Sequence, residues 1–210
     1  MTELVPGAVK QGYLASTAPM VRALLRGGVT PNVLTTIGAL VILASSVAFG
    51  AGMIRTGGLL LLLSGMVDTL DGQVARAGAQ TTTFGAFYDS TLDRVGDGAS
   101  FIGIAAYLLW APDIRWRDYG IIACMVGIVA ALLVSYMRAR AEGLGLECKV
   151  GIAQRAERII GLGLPTLLVG AGPQGMVLTV IVTVLTVLSL ITVGQRFAHV
   201  YRVTAAAGVQ

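Results

Sequence analysis

The chain has 210 residues, of which 55% are hydrophobic and 12% charged, and its mean hydropathy is +0.80. This charged fraction is well below the roughly 25% of soluble domains, which excludes a soluble globular protein and indicates a protein embedded in a membrane. The net charge of +4 does not indicate a nucleic-acid partner, because the basic residues are scattered between apolar segments and do not cluster with aromatic residues on one face.

The first predicted element is a helix over residues 8–28, in which apolar residues are mixed with Lys10, Arg22 and Arg26. This mixture is typical of an amphipathic helix that lies along the membrane surface and does not cross it. Pro31 follows shortly afterwards and is suited to the first turn of the next helix. We therefore expect an N-terminal juxtamembrane helix ahead of the first membrane span.

Six apolar segments follow, and a helix needs roughly 20 residues to cross the hydrocarbon layer of a membrane. A tight turn is predicted over residues 55–58, and the longest polar connection over residues 140–154. The expected fold is an all-α integral membrane protein in which residues 1–210 form a single domain and residues 33–197 a bundle of six transmembrane helices. The predicted spans are residues 33–54, 59–77, 84–110, 119–138, 159–169 with a helical approach from residue 153, and 175–195.

The basic residues are distributed unequally between the two sides of these predicted spans. The side that holds both termini carries all of the 15 basic residues except Arg55, Arg115 and Arg117. Loops rich in lysine and arginine stay on the cytoplasmic side of a membrane. We therefore expect a multi-pass protein of the cell membrane whose termini and acidic motif face the cytoplasm.

The acidic motif consists of four aspartates at the predicted end of the second span and the start of the third. Asp68 and Asp71 are three residues apart, and Asp89 and Asp93 are four apart, so each pair occupies one face of its helix. Carboxylates at membrane depth are costly unless they are paired or functional. Two facing pairs of oxygen ligands are suited to one or two divalent cations, and magnesium and manganese prefer such ligands.

The four aspartates belong to the pattern D-x2-D-G-x2-A-R-x8-G-x3-D-x3-D, which residues 68–93 match at every fixed position. This pattern resembles the signature of the CDP-alcohol phosphotransferases, integral membrane enzymes that join an alcohol to a phosphate held as a CDP ester. The resemblance implies that Asp68, Asp71 and Asp89 are metal ligands, and that Asp93 is both a ligand and the catalytic base. It also implies two magnesium ions per active site, with manganese as the alternative.

The same resemblance implies a binding site for the CDP-lipid beside the metal ions. Gly72 lacks a Cβ and lets the nucleotide approach the helix backbone, and Arg76 offers forked donors to a phosphate. Gly85 is explained equally well by close helix packing. Asp97, four residues after Asp93, continues the acidic face and is expected to support the site or to pair two helices. The residues assigned to the CDP-lipid are Pro31, Asn32, Gly72, Ala75, Arg76, Thr82 and Gly85.

An arginine cluster lies at the cytoplasmic ends of three predicted spans. It comprises S-Y-M-R-A-R-A-E at residues 135–142, Q-R-A-E-R at residues 154–158 and Q-R at residues 195–196. Arg155 and Arg158 would repel each other unless an anion lay between them. A pocket of arginines beside a metal site suits an acceptor alcohol that carries a phosphate, unlike choline, ethanolamine or serine. The predicted ligands of the acceptor phosphate are Arg138, Arg155, Arg158 and Arg196.

These stretches resemble the branch of the family that joins inositol phosphate to CDP-diacylglycerol, in which S-Y-x-K-A-R-A-E and E-R-P-E-R are expected. Arg138 stands where lysine is usual, and Gln154 and Ala156 replace glutamate and proline. The implied reaction transfers the phosphatidyl group of CDP-diacylglycerol to inositol 1-phosphate (1D-myo-inositol 3-phosphate) and releases CMP. Glycerol 3-phosphate as the acceptor, and archaeal ether lipid as the donor, are the alternatives within the family.

A divalent-cation channel or transporter is the alternative from another functional class, because aspartates within a membrane also bind passing ions. That interpretation leaves Gly72, Arg76 and the arginine cluster without a role. We therefore prefer an enzyme.

Small residues recur every four positions in the fourth predicted span, which lets helices approach each other closely. We expect this stripe to pack inside the bundle, and its use as a dimer seam is the alternative. A homodimer is expected on the resemblance. The stripe comprises Ala123, Gly127, Ala131 and Ser135.

Overall fold

The computed structural model describes the backbone of residues 7–206 and 208, and the side chains from Ser16 onward. The outermost residues of the predicted domain, and the side chain of Lys10 in the predicted surface helix, lie outside this description. The described residues form seven α-helices and no β-strand, which confirms the all-α prediction. The helices are α1 (Gly7–Arg26), α2 (Pro31–Gly50), α3 (Ile54–Ala77), α4 (Thr83–Trp110), α5 (Arg117–Glu142), α6 (Arg155–Val169) and α7 (Met176–Ala206).

Four of these helices are long and apolar enough to cross a membrane: α2, α3, α5 and α7, the last together with the short 3-10 turn that precedes it. Helix α4 has 28 residues, but charged side chains interrupt its apolar sequence between Asp89 and Asp97. Helix α6 has only 15 residues. Length and composition therefore identify four of the six predicted spans within the described part of the chain.

The predicted tight turn at residues 55–58 is wrong, because α3 has already begun there and the chain reverses at Gly52, whose φ is +79°. The glycines of that segment serve helix packing. A Cβ on Gly57 would overlap the ring of Phe49, and a Cβ on Gly58 would overlap side-chain and backbone atoms of α6. These glycines let α3 approach its neighbours closely inside the bundle.

Other helix ends also differ from the predicted spans. Helix α2 ends at Gly50 and not at residue 54, and α7 continues well past Gln195 to Ala206. The extension of α7 carries Arg196, His199 and Arg202 among apolar residues, and Arg196 is buried against the loop that precedes α6. Helical structure therefore continues beyond the apolar stretch from which the span was predicted. Helix α4 ends at Trp110, the residue at which the third span was predicted to end.

Six of the helices close into a ring. Helix α2 packs against α3 and α4, α3 packs against α6, α6 against α7, α7 against α5, and α5 against α4. The buried core of the ring receives side chains from all six helices, among them Phe49, Leu61, Ile104, Leu162 and Val182. Side chains from the second half of α3, the first half of α4 and the start of α6 line one common cavity.

Helix α1 packs against α3. Its Val21 is buried with Leu34, Leu70 and Val74, and the hydroxyl of Thr17 donates a hydrogen bond to Oε1 of Gln73 at 2.8 Å. Helix α1 is thus attached to the helix that carries the first aspartate pair. Its position along a membrane surface stays a prediction.

The predicted packing of the small-residue stripe of α5 inside the bundle is confirmed. Ala123, Gly127 and Ala131 are buried. A Cβ on Gly127 would overlap Phe101 of α4 and Thr186 of α7, and the Thr186 hydroxyl donates a hydrogen bond to the Ala123 carbonyl at 2.9 Å. The stripe therefore lets α4 and α7 approach α5.

The connection from α5 to α6, residues 143–154, is irregular and is held by side chains of neighbouring helices. The Thr192 hydroxyl of α7 accepts a hydrogen bond from the Ala153 N–H at 2.9 Å. Arg196 donates from Nε to the Val150 carbonyl at 2.9 Å. These bonds fix the approach of the chain to α6.

Candidate active site

Three of the predicted metal ligands lie close together. Asp68 and Asp71 lie one helical turn apart in the second half of α3, and Asp89 lies in the first half of α4. One carboxylate oxygen from each of the three lies within 4.8 Å of the others. Three negatively charged oxygen atoms at this separation are within reach of a single hard cation.

Asp71 is held in place by a residue of a third helix. The hydroxyl of Thr35 in α2 donates a hydrogen bond to Oδ2 of Asp71 at 2.8 Å. Only 6% of the Asp71 surface is exposed, so this bond orients a carboxylate that solvent barely reaches. A hydrogen bond of this kind fixes the direction in which a metal-ligand candidate points.

Asp89 supplies the clearest sign that the carboxylate group fits a cation. Its Oδ1 is buried and has no hydrogen-bond partner in the described part of the chain. A buried, unpaired carboxylate oxygen is strongly unfavourable, and a bound cation removes the cost. The residues present therefore fit a divalent metal ion.

Asp93 lies outside this group of three but faces the same cavity. Its Oδ1 lies 2.9 Å from Nη2 of Arg155, and its Oδ2 lies 3.4 Å from Nη2 of Arg94. The predicted double role of Asp93, as ligand and base, stays a prediction. The cavity lies between α2, α3, α4 and α6 and is lined by Thr35, Gly38, Ala39, Ile42, Ser64, Asp68, Asp71, Leu92, Asp93 and Arg155.

Arg155, the first residue of α6, connects the two aspartate pairs. Its Nη1 lies 2.6 Å from Oδ1 of Asp68 in α3, while its Nη2 contacts Asp93 in α4. The Arg155 side chain is 19% exposed. This arginine was predicted to bind the acceptor phosphate, and the structure places it against the acidic motif as well.

The second arginine of α6 forms a buried ion pair. Nη2 of Arg158 lies 2.5 Å from Oδ2 of Asp97, and both side chains are 5% exposed. Arg158 also donates from Nη1 to the carbonyl of Ala153 at 2.9 Å. The helix-pairing role predicted for Asp97 is confirmed, since the ion pair joins α4 to α6.

The same carboxylate of Asp97 also lies close to Arg155. Arg155 and Arg158 were expected to need an external anion between them. Instead, Oδ1 of Asp97 lies 3.9 Å from Nε of Arg155 while its Oδ2 pairs with Arg158. The carboxylate of the protein itself lies between the two arginines, so their spacing does not by itself require a bound phosphate.

The other two predicted acceptor ligands differ from each other in environment. Arg196 is 2% exposed and donates hydrogen bonds to the carbonyls of Val134 and Val150. Arg138 has a side chain that is 45% exposed and pairs with Glu142 one turn later at 2.9 Å. Acceptor binding by these residues stays a prediction.

The predicted CDP-lipid residues fall into two groups, of which the first lies where α2 and α4 begin. Thr82 caps α4, its Oγ1 accepting a hydrogen bond from the Gly85 N–H at 2.9 Å. A Cβ on Gly85 would lie 3.2 Å from Oδ1 of Asn32. Pro31, the first residue of α2, precedes Asn32. The absence of a side chain at Gly85 therefore keeps the two helix starts close together.

The second group lies on α3. A Cβ on Gly72 would lie 3.2 Å from Nη1 of Arg76, so the arginine side chain folds back over the glycine. Ala75 lies beside them and is half-buried. Nucleotide binding by the two groups stays a prediction.

Two contacts of the acidic residues were not predicted. Thr35 holds Asp71, and a threonine in an apolar helix carries no sequence signal for such a contact. Arg94 lies beside Asp93, and the rarity of arginine inside a membrane span was a usable signal for this contact.

A family model described as CDP-alcohol phosphatidyltransferase matches residues 28–205. The chain is 38% identical over 202 residues to the phosphatidylinositol phosphate synthase of Cutibacterium acnes, covering 92% of this chain and 96% of the relative. It is 37% identical over 199 residues to the archaetidylinositol phosphate synthase of Methanothermobacter thermautotrophicus, covering 92% of this chain and 97% of the relative.

Solved structures show the same helix arrangement. The phosphatidylinositol phosphate synthase of Mycobacterium tuberculosis in complex with manganese and citrate superposes with a TM-score of 0.77 at 35% identity, covering 88% of each chain. The structure of the same synthase with CDP-DAG bound gives a TM-score of 0.75 at 34% identity, covering 87% of this chain and 92% of that one.

Proposed function

The chain belongs to the CDP-alcohol phosphatidyltransferase family and is a transferase, and we propose that it moves the phosphatidyl group of CDP-diacylglycerol onto inositol 1-phosphate (1D-myo-inositol 3-phosphate). The products are phosphatidylinositol phosphate and CMP. One observation supports an acceptor that carries a phosphate, and the 38% identity to a phosphatidylinositol phosphate synthase supports inositol phosphate as that acceptor. The arginine-bearing start of α6 adjoins the carboxylate group, with 2.6 Å between Arg155 and Asp68. A phosphate-bearing alcohol bound there would contact both the positively charged arginine side chains and the group of carboxylates.

We propose two Mg²⁺ ions, with Mn²⁺ as the alternative, held by Asp68, Asp71, Asp89 and Asp93. Such ions neutralise phosphate charge and polarise the phosphorus for attack. The three clustered carboxylates and the unpartnered oxygen of Asp89 support this proposal. The manganese complex of the mycobacterial relative supports it independently.

The proposed reaction is a displacement at phosphorus. A hydroxyl oxygen of the acceptor forms a bond to the phosphorus of the phosphatidyl group, the bond from that phosphorus to the CMP oxygen breaks, and CMP leaves with the bonding electrons. We assign the proton of the attacking hydroxyl to the carboxylate of Asp93. This residue faces the cavity together with Asp68 and Asp71, as a general base within hydrogen-bond reach of the acceptor must.

We assign the nucleotide end of the donor lipid to the two groups beside the cavity. Gly72 leaves room next to the α3 backbone, and the forked guanidinium of Arg76 lies over it. Asn32 and Thr82 supply polar atoms at the starts of α2 and α4. Pro31, Ala75 and Gly85 shape the same surface.

We assign the acceptor phosphate to the arginine cluster. Arg155 adjoins the carboxylates, and Arg158 and Arg196 are fixed by hydrogen bonds to the 143–154 connection. Arg138 approaches from the last turns of α5 and is the most exposed of the four predicted ligands. Clusters of arginine are the usual protein site for a phosphate dianion.

We further propose that the chain is a single functional domain. Its ring then comprises six spans, which are the four apolar helices together with α4 and α6. The unequal distribution of basic residues supports termini and an active site that face the cytoplasm, in the cell membrane. We place α1 along the membrane surface, where the exposed Arg22 and Arg26 meet lipid headgroups. A homodimer is part of the same proposal, on the resemblance to the family.

The test uses the purified chain in vesicles that contain CDP-diacylglycerol and Mg²⁺. Radiolabelled inositol 1-phosphate, glycerol 3-phosphate and free inositol are offered in parallel. We expect label from inositol phosphate alone to enter the lipid, with one CMP released per molecule incorporated. Incorporation of glycerol phosphate without inositol phosphate would overturn the proposed acceptor.

A second candidate differs only in the lipid. The 37% identity to an archaetidylinositol phosphate synthase makes an ether-linked CDP-lipid a candidate donor. Offering acyl and ether CDP-lipids to the same preparation decides between the two. A higher kcat/KM for the ether lipid would favour the archaeal substrate.

A further inference from the structure

Arg155 binds the same carboxylates that are proposed to hold the metal ions. Its Nη1 lies 2.6 Å from Oδ1 of Asp68, and its Nη2 lies 2.9 Å from Oδ1 of Asp93. Both distances are those of close ion pairs. One planar guanidinium thus bridges the first and the last aspartate of the motif, from α3 to α4.

A divalent cation and this guanidinium cannot use these oxygen atoms independently. Two positive charges a few ångströms apart repel each other, and the repulsion is larger in a partly buried cavity than in water. A carboxylate oxygen whose charge is already partly neutralised by Arg155 is also a weaker ligand for a second cation. Binding of a cation by Asp68 and Asp93 must therefore weaken both contacts of Arg155.

The surroundings determine where the Arg155 side chain moves. Its neighbour Arg158 is fixed by the buried ion pair with Asp97, so the start of α6 stays in place. Arg155 is 19% exposed and borders the cavity, so its guanidinium can rotate toward the cavity without leaving it. There its fork is free to bind a phosphate.

We propose that Arg155 is a positioning residue that couples the two binding events at this site. It competes with the divalent cation for Asp68 and Asp93, and cation binding releases it to the phosphate of the acceptor. Cation and acceptor phosphate therefore bind with positive cooperativity. The identity of the acceptor in this inference rests on the proposed function, whereas the competition between arginine and cation does not.

Thermodynamic linkage makes the coupling reciprocal and measurable from either side. An acceptor that binds the released guanidinium removes the competitor of the cation. We expect saturating acceptor to tighten cation binding about tenfold, within the range of typical couplings. Loss of the arginine should tighten cation binding without any acceptor, which is the opposite of what general damage to the site would do.

The first arm of the test measures Mn²⁺ affinity by electron paramagnetic resonance of the free ion, with the full chain in lipid nanodiscs and no substrate. We expect Arg155→Gln to bind Mn²⁺ about tenfold more tightly than the unchanged chain, since one such coupling is lost. Arg155→Lys, which reaches one carboxylate at a time, should give an intermediate affinity. Arg140→Gln removes the same charge from the exposed end of α5 and should leave the affinity unchanged. Equal or weaker Mn²⁺ binding by both Arg155 variants would overturn the inference.

The second arm repeats the titration with saturating inositol 1-phosphate or glycerol 3-phosphate. Either compound should tighten Mn²⁺ binding in the unchanged chain if it is the acceptor, and neither should do so in Arg155→Gln. Coupling that persists in Arg155→Gln would overturn the inference. Coupling with glycerol phosphate alone would leave the inference intact and overturn the proposed acceptor, so the two failures are distinguishable.

Discussion

The hydroxyl of Thr35 donates a hydrogen bond to Oδ2 of Asp71 at 2.8 Å, so a helix without any acidic residue orients a metal-ligand candidate of its neighbour. Both side chains are buried, with 7% and 6% of their surfaces exposed. The orientation of Asp71 therefore depends on the packing of α2 against α3. Loss of this hydrogen bond should therefore lower the affinity for metal more than it lowers the stability of the fold.

Thr35→Val keeps the shape of the side chain and removes the donor. We expect Mn²⁺ affinity to fall about 10-fold to 100-fold, the usual cost of losing a partner that orients a metal ligand. Thr183→Val is the matched control, because that hydroxyl only bonds the Thr179 carbonyl of its own helix. Titration of Mn²⁺ checks the difference, and equal affinities of the two variants would contradict it.

Asp93→Asn should abolish turnover and leave the affinity for CDP-lipid largely intact, because an amide cannot accept the proton of the attacking hydroxyl. CMP release measures turnover, and calorimetry with CDP-lipid in detergent measures binding. Asp118→Asn in the first turn of α5 makes the same chemical change at an exposed position and should retain activity. Undiminished turnover of Asp93→Asn would remove the residue from the role of base.

The Asp97 and Arg158 pair gives a prediction about stability. Removal of one partner leaves a buried charge unpaired, and we expect Asp97→Asn or Arg158→Met to lower the free energy of unfolding by about 3–5 kcal/mol. The double variant should lose less than the sum of the two single losses, since it leaves neither charge behind.

Arg138→Gln breaks a half-exposed pair and should cost about 0–1 kcal/mol. Unfolding monitored in detergent compares these variants. Similar losses from the buried and the exposed pair would show that the buried pair does not stabilise the contact between α4 and α6.

Gly58→Ala tests the close approach of α3 and α6. The added Cβ would overlap Thr166 and the backbone of α6, and we expect a loss of about 1–3 kcal/mol in stability. Gly194→Ala in α7 meets no atom within 4 Å and should be neutral or stabilise the helix by up to about 1 kcal/mol. We expect the melting temperature of Gly58→Ala to lie below that of Gly194→Ala. Equal melting temperatures would contradict the close packing of α3 against α6.

The sequence was sufficient for features that depend on local pattern. The apolar segments predicted the helices, because a chain in lipid must form the hydrogen bonds of its backbone N–H and C=O groups within each segment. The spacing of Asp68 and Asp71 predicted that they share a helix face, and the resemblance to the family implied that Asp89 joins them. The spacing also placed Asp97 on the acidic face of α4, and of the two roles expected for it the structure shows helix pairing.

Features that depend on which helices are neighbours could not be predicted in this way. Gly57 and Gly58 were interpreted as a turn, because nothing in the sequence states that Phe49 and α6 pack against them. Arg155 was assigned to a phosphate, because its contacts with Asp68 and Asp93 arise only when the start of α6 reaches the cavity that α3 and α4 also line. Such contacts are set by the ring of helices and not by local spacing.

The shortness of α6 has a consequence for how a water-soluble reactant meets a lipid. Fifteen residues span about 22 Å, less than the roughly 30 Å of a hydrocarbon layer. Irregular backbone is tolerated at such depth only where protein groups satisfy it, as Thr192 and Arg196 do for the 143–154 connection. We therefore expect the start of α6 and this connection to lie at the edge of the hydrocarbon layer, where a water-soluble acceptor can reach the headgroup of the donor lipid.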